Sequence, residues 1–259
     1  MVTLTNGNQK VGISAGELVS YSVDGHEYIH QKGNPGWGSS DTEMFPIIGP
    51  TMEADFRVRT PKGNAVQDQH GLLRELPYIL KGSSETHAAF QKIYQADVKV
   101  ENSKFPKKST EKELFWPYNF QFEKRFELKA EGLEITFVIS GDEGMPFMLG
   151  YHPAFLLQTE APVITAGDTK ITLNEILAVG SRALHVPQCT EISLQDTNEL
   201  TITTKGFGQF MLWTEVPNMV CIEPISFYPY AVRQNQLDKG FDYLQATPRE
   251  FKVYLRPND

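Results

Sequence analysis

Alternation with a period of two runs through most of this 259-residue chain and restricts its fold more than any other feature. Val2 and Leu4 precede Asn6-Gly7, and Val11 and Ile13 follow it. Apolar residues two apart share one face of a strand, and Asn-Gly supplies the turn of a hairpin. A second hairpin is expected where "ELVSYSV" and "EYIH" flank Asp24-Gly25. The segments "HAAFQKIYQADVKV", "YNFQFEKRFELKA", "LEITFVIS", "TKITL", "LTITTK", "QFMLWTE", "NMVCIEP" and "FKVYLRP" repeat the pattern. They are rich in Phe, Tyr, Val, Ile and Thr and are separated by Gly, Asn, Asp or Pro. Helical patterning is confined to a turn or two near Asn174–Ala178 and Gln236–Lys239. The expectation is an all-β fold of large, packed antiparallel sheets. No linker, composition shift or internal repeat divides residues 1–259, which are expected to form a single domain able to bury its own core.

A net charge of −8 argues against a nucleic-acid binder, which needs a concentrated basic surface, and against anionic membranes. The N-terminus lacks the basic and apolar regions of a signal peptide, and no apolar run approaches a transmembrane length. Two cysteines, Cys189 and Cys221, are too few for a disulfide framework, so the expected location is the cytoplasm. Nothing in the sequence speaks to oligomeric state.

Between Gln31 and Thr60 the alternation breaks down, and "QKGNPGWGSSDTEMFPIIGP" is an irregular stretch, rich in Gly, Pro and Ser, of the kind that carries binding groups on β scaffolds. Just before it, His26-Glu27-Tyr28-Ile29-His30 matches the zinc motif H-E-x-x-H. That motif works on a helix, where both histidines share one face and converge on a metal. After a hairpin turn it reads as a strand, which separates the two histidines by roughly 13 Å. No metal site is expected there.

Three polar residues stand out by context. His152 lies in "GYHPAF", Glu223 in the apolar strand "MVCIEPISF", and His70 precedes a glycine in "DQHGLLREL". His152 and Glu223 each precede a proline, which holds them in extended backbone where a sheet ladder loses a donor. Along the strand, Cys221 and Glu223 point away from the face of Val220 and Ile222. Taken singly, each has an ordinary alternative: a hydrogen-bonded structural histidine, or an acid on a solvated sheet face. Arg74 by itself reads as a surface charge.

Together with "FPIIG" (45–49), "HGLLR" (70–74), "WPYNFQFEKRFELKAEGLEITFVIS" (116–140), "MPFMLGYHPAF" (145–155) and "LWTEVPNMVCIEP" (212–224), these residues resemble, in order, the aldose 1-epimerase family. The similarity is greatest to its branch with "HGFAR", "GGHPAF" and "CIEPW" motifs, and spans essentially the whole chain. The resemblance implies a β-supersandwich and the interconversion of α and β anomers of a free sugar, a monosaccharide, with no cofactor and no metal. It further implies Glu223 as the base on the C1 hydroxyl, His152 as the acid on the ring oxygen, and His70 and Arg74 as substrate contacts. Pro50 departs from the branch, which carries an arginine after "FPI-x-G". Arg57 or Arg59 is a candidate to take its place. The family's sugar-binding acid has no assigned position here, with Asp168 and Asp196 as open alternatives. Trp37, Phe155, Trp213 and Phe227 are candidates to cover the apolar face of the ring, with core packing the more ordinary role for most of them.

The residue types suit the reaction. Histidine titrates near neutrality, and a glutamate in a partly dry pocket becomes a stronger base. Two other readings stay open: a hexose-phosphate 1-epimerase, and a non-catalytic carbohydrate-binding protein on the same fold.

Overall fold

The computed structural model describes residues 1–258. Its largest sheet has nine antiparallel strands. In spatial order they are Thr169–Thr172, Val163–Ala166, Glu191–Gln195, Glu199–Lys205, Arg249–Asn258, Gly132–Gly141, Phe120–Lys129, His87–Tyr94 and Ile79–Ser83. A second sheet orders Leu184–Val186, Gln209–Trp213, Met219–Ile225, Gly150–Tyr151 and Glu43–Met44, with Ala154–Leu156 also paired to Met219–Ile225. The two N-terminal hairpins form a separate four-stranded sheet. The fold is the expected all-β supersandwich of large antiparallel sheets.

The core lies where the alternation of both sheets converges. In Phe120–Lys129 the inward positions are Phe120, Phe122, Lys124, Phe126 and Leu128, all buried. Phe122 packs 5.4 Å from Phe45, and Phe137 of the neighbouring strand packs 5.0 Å from Tyr151 (ring centroids). Aromatic contact of this kind joins the nine-stranded sheet to the second one.

Both helical expectations hold. Leu173–Val179 is a short α-helix capped by Thr172 and Glu175, and Gln234–Gly240 forms 3₁₀ turns. The second hairpin is shorter than its sequence suggests, pairing only Ser22 with Glu27 and Val23 with His26. Glu27 explains this, because its Oε1 accepts from the amides of Tyr21 (2.8 Å) and Ile29 (2.9 Å) in place of ladder partners. No helix among the described residues is long and apolar enough to cross a membrane.

Candidate functional site

The site starts from a lapse in one ladder. Met219–Ile225 pairs with Gly150 at Ile225 and with Ala154 at Cys221, but not between those points. The antiparallel register sets His152 opposite Glu223 within that gap. Pro153 has no amide to donate there, and His152 instead exchanges both backbone hydrogen bonds with Thr42 (2.8 and 3.2 Å). Its ring is thereby held over the gap by a third segment.

His152 Nε2 lies 3.4 Å from Glu223 Oε1, longer than an ordinary N–H···O hydrogen bond, and His152 Nδ1 has no partner. His152 is 5% and Glu223 2% exposed. Burial raises Glu223 well above the usual carboxylate range. Burial, with the Arg74 charge adding to it, depresses His152 to about 3. Both shifts disfavour charge in a dry site, and that makes an ionised Glu223 a strong base and a protonated His152 a strong acid.

The two residues line a cavity of about 610 Å³ shared with Trp37, His70, Arg74 and Trp213. Trp37 stacks on the His152 ring at 4.3 Å, and Trp213 and His70 meet it edge-on at 6.0 and 5.4 Å. Gly36, at φ +119°, permits the Trp37 approach, since a Cβ there would lie 2.9 Å from Met219 Sδ. His70 and Gly71 are both left-handed (φ +76° and +69°), and a Cβ on Gly71 would fall 2.2 Å from the Phe45 carbonyl oxygen. That bend turns His70 into the cavity, where its Nδ1 is 3.4 Å from Arg74 Nη1. Burial first, then the charges of His152, Arg74 and Lys104, depress His70 well below its ordinary value.

Beneath the same backbone lies a second polar cluster. Lys124, fully buried in the aromatic face of its strand, reaches Asp41 Oδ2 (2.6 Å) and Glu43 Oε1 (2.7 Å). The Tyr151 hydroxyl donates to Asp41 Oδ2 (2.7 Å). Asp41 and Glu43 flank Thr42, and Tyr151 precedes His152, so this ion cluster anchors both segments that present the histidine.

The four residues singled out in the sequence, His70, Arg74, His152 and Glu223, therefore meet in one cavity. Other expectations need correction. Arg57 and Arg59 do not replace the arginine missing at Pro50, because both are exposed on a hairpin away from the cavity and Arg57 pairs with Glu111 (3.7 Å). Lys104 and Lys108 supply cationic groups to the wall instead, with Lys104 held by Asp68 (3.0 Å). Neither Asp168 nor Asp196 lines the cavity, and Asp196 accepts from the amides of Gln158 and Thr159. The acids in the wall are Asp68, Glu215 and Glu223. Phe155 is core, and Phe227 packs against Gly240. Of the H-E-x-x-H residues, His30 is buried and contacts the Trp37 carbonyl oxygen (2.9 Å), which ties it to the aromatic wall. Among the described residues, the one group of His, Cys, Asp or Glu placed to share an ion is His152, Cys221 and Glu223.

Comparison with known proteins bears on the fold and the family. The chain superposes on a galactose mutarotase-like protein from Lactobacillus casei with a TM-score of 0.79 and 18% identity, covering 100% of both chains. A galactose mutarotase related enzyme from Lactobacillus acidophilus gives 0.75 at 19% identity over 100% of this chain and 97% of that one. An aldose epimerase homologue from C. elegans gives 0.70 at 9% identity, covering 99% and 98%. These similarities establish the fold. A search of curated proteins finds no match. The family model for aldose 1-epimerase matches residues 54–208, more than half of the sequence, and the chain belongs to the aldose 1-epimerase family of carbohydrate epimerases.

Proposed function

We propose that the protein is a cytoplasmic mutarotase, acting as one catalytic unit over residues 1–259, that interconverts the α and β anomers of a free hexose. The observation that carries this reading is the His152–Glu223 pair, buried, 3.4 Å apart and open to a cavity large enough for a monosaccharide. Burial favours the pair's single proton on Glu223; in the reactive tautomer His152 holds it, and Glu223 then removes the C1 hydroxyl proton while His152 protonates the ring oxygen. The C1–O5 bond breaks and an open-chain aldehyde results. Both groups are then uncharged, the arrangement that burial favours, so the site pulls towards ring opening. Rotation about C1–C2 presents the other carbonyl face. Reclosure returns each proton to its origin, and no group is consumed.

In this reading His70 and Arg74, both in the cavity wall, hold ring or hydroxyl oxygens, and Trp37, stacked on the imidazole, covers an apolar face. Glu215, exposed at the cavity wall, is a candidate acceptor for sugar hydroxyls in place of Asp168 and Asp196. Lys104 and Lys108 in the wall favour a second reading, a hexose-phosphate substrate whose phosphate they would hold with Arg74.

Polarimetry with α-galactose, α-glucose and α-glucose 6-phosphate separates the readings. The protein should accelerate equilibration of a free hexose. Acceleration of the phosphate ester alone would support the second reading. Binding of sugar without acceleration of any of the three would leave a carbohydrate-binding protein.

A further inference from the structure

The acid–base reaction gives Cys221 nothing to do, although its thiol is fully buried beside the reacting pair. Cys221 and Glu223 are two apart on one strand and project to the same side, and His152 sits opposite Glu223 across the lapsed ladder. One donor atom from each of the three lies within 4.8 Å of the other two. The 3.4 Å between His152 Nε2 and Glu223 Oε1 is long for a hydrogen bond. It is close to the edge of a zinc tetrahedron, where bonds of about 2.0–2.1 Å set nitrogen and oxygen about 3.3 Å apart. His152 Nδ1 is buried without a partner, so no hydrogen bond to that nitrogen fixes the ring against a small adjustment.

We propose that His152, Cys221 and Glu223 form a zinc-binding site in which the metal occupies the donors of the acid–base pair and silences the enzyme. The donor set of imidazole, thiolate and carboxylate suits zinc and disfavours the harder magnesium and calcium ions. His152 and Glu223 line the cavity, which leaves the fourth position open to water, as in three-ligand zinc sites. On binding, the Cys221 thiol proton leaves to solvent, and the imidazole and carboxylate bind without the proton they otherwise share. The silencing half of the proposal rests on the mutarotase reading; the binding half does not.

The test uses tag-free, full-length protein. Zinc affinity is measured by competition with a chromogenic chelator, and cobalt(II) replaces zinc for absorption spectroscopy. One equivalent of cobalt should produce a thiolate-to-metal charge-transfer band. Cys221→Ala should abolish it and weaken zinc binding by at least ~100-fold, the upper end for loss of even an outer-shell partner. Cys189 is present in both proteins and cancels in the comparison. Cys221→Ser, nearly isosteric, should also lose the band, which guards against a packing defect in the alanine variant. A cobalt spectrum without a thiolate band, or undiminished zinc affinity in both variants, would overturn the site.

Separately, zinc should stop anomerisation by the parent protein, a chelator should restore it, and metal-free Cys221→Ala should run at the parent rate. Zinc bound at the thiolate site with an unchanged rate would overturn the silencing half. A metal-free protein inactive on every sugar would instead count against the mutarotase reading, with the cobalt spectrum still deciding the site.

Discussion

Two buried polar clusters sit on opposite sides of one backbone ladder, and they are finished differently. On the core side, Asp41, Glu43, Tyr151 and Lys124 bring opposite charges to within 2.6–2.7 Å. On the cavity side, His152 and Glu223 stop at 3.4 Å, one imidazole nitrogen has no partner, and burial shifts both groups away from charge. The alternation of side chains sends Tyr151 down and His152 up from the same strand end. A cluster of directly paired opposite charges holds backbone in place, because loss of the cation strands buried carboxylates in the core. An incompletely compensated pair keeps capacity for a ligand and for protons. The first cluster positions, and the second is the pair proposed to react.

The comparison is broken most severely from the core side. Lys124→Met should remove the cation bonded to Asp41 and Glu43, leave them with only the more distant buried Lys92, and destabilise the fold by about 3–5 kcal/mol in urea unfolding. Combining it with Asp41→Asn and Glu43→Gln should recover much of that loss. An exposed lysine such as Lys99, paired to Glu113 at the surface, should cost under about 1 kcal/mol when replaced.

A smaller effect is expected from the aromatic wall. Trp37→Ala removes the stack on His152 and a cover for the sugar ring, and should raise KM roughly 2- to 10-fold, the size of a single aromatic contact. Its thermal stability should change less than that of Lys124→Met.

The subtlest expectation concerns pH. The working pair carries one proton, and activity ends on the acid side when a second arrives. Because His152 is depressed to about 3, kcat/KM should hold its value below the ordinary histidine range and fall only as pH approaches about 3. An alkaline limb follows when the shared proton leaves, and the raised Glu223 moves that limb upward. Short pH-jump assays on α-glucose, corrected for the uncatalysed rate, give the profile. An acid limb near 6.5 would mean a solvated His152 and an open site.

Much of this was legible in the residues. Period-two patterning located the strands, and Asn-Gly and Asp-Gly marked the first and third hairpin turns, with Ala15-Gly16 making the second. The paired His-Pro and Glu-Pro steps pointed to the two groups that meet at the cavity, since a missing amide next to each marks a ladder that lapses. The core cluster was legible only in part. In "FQFEKRFELK" the inward series Phe120, Phe122, Phe126 and Leu128 places Lys124 inside, an anomaly that strict alternation exposes. Its partners lie some eighty residues earlier in an irregular segment, and no local rule links them. Lys104 and Lys108 were illegible for the same reason. They stand in a loop without periodicity, and tertiary folding alone brings them to the wall that Arg57 and Arg59 were expected to serve.

The central claim, that the under-compensated pair performs proton transfer on a sugar, is tested most directly by Glu223→Gln in a polarimetric assay with α-galactose or α-glucose. The rate should fall by roughly 10²- to 10⁴-fold. Stability at neutral pH should at least equal the parent's. A carboxyl raised in the folded state loses stability as pH climbs above its unfolded value, and glutamine removes that loss. An unchanged rate in a folded variant, or a rate lost only together with the fold, would contradict it.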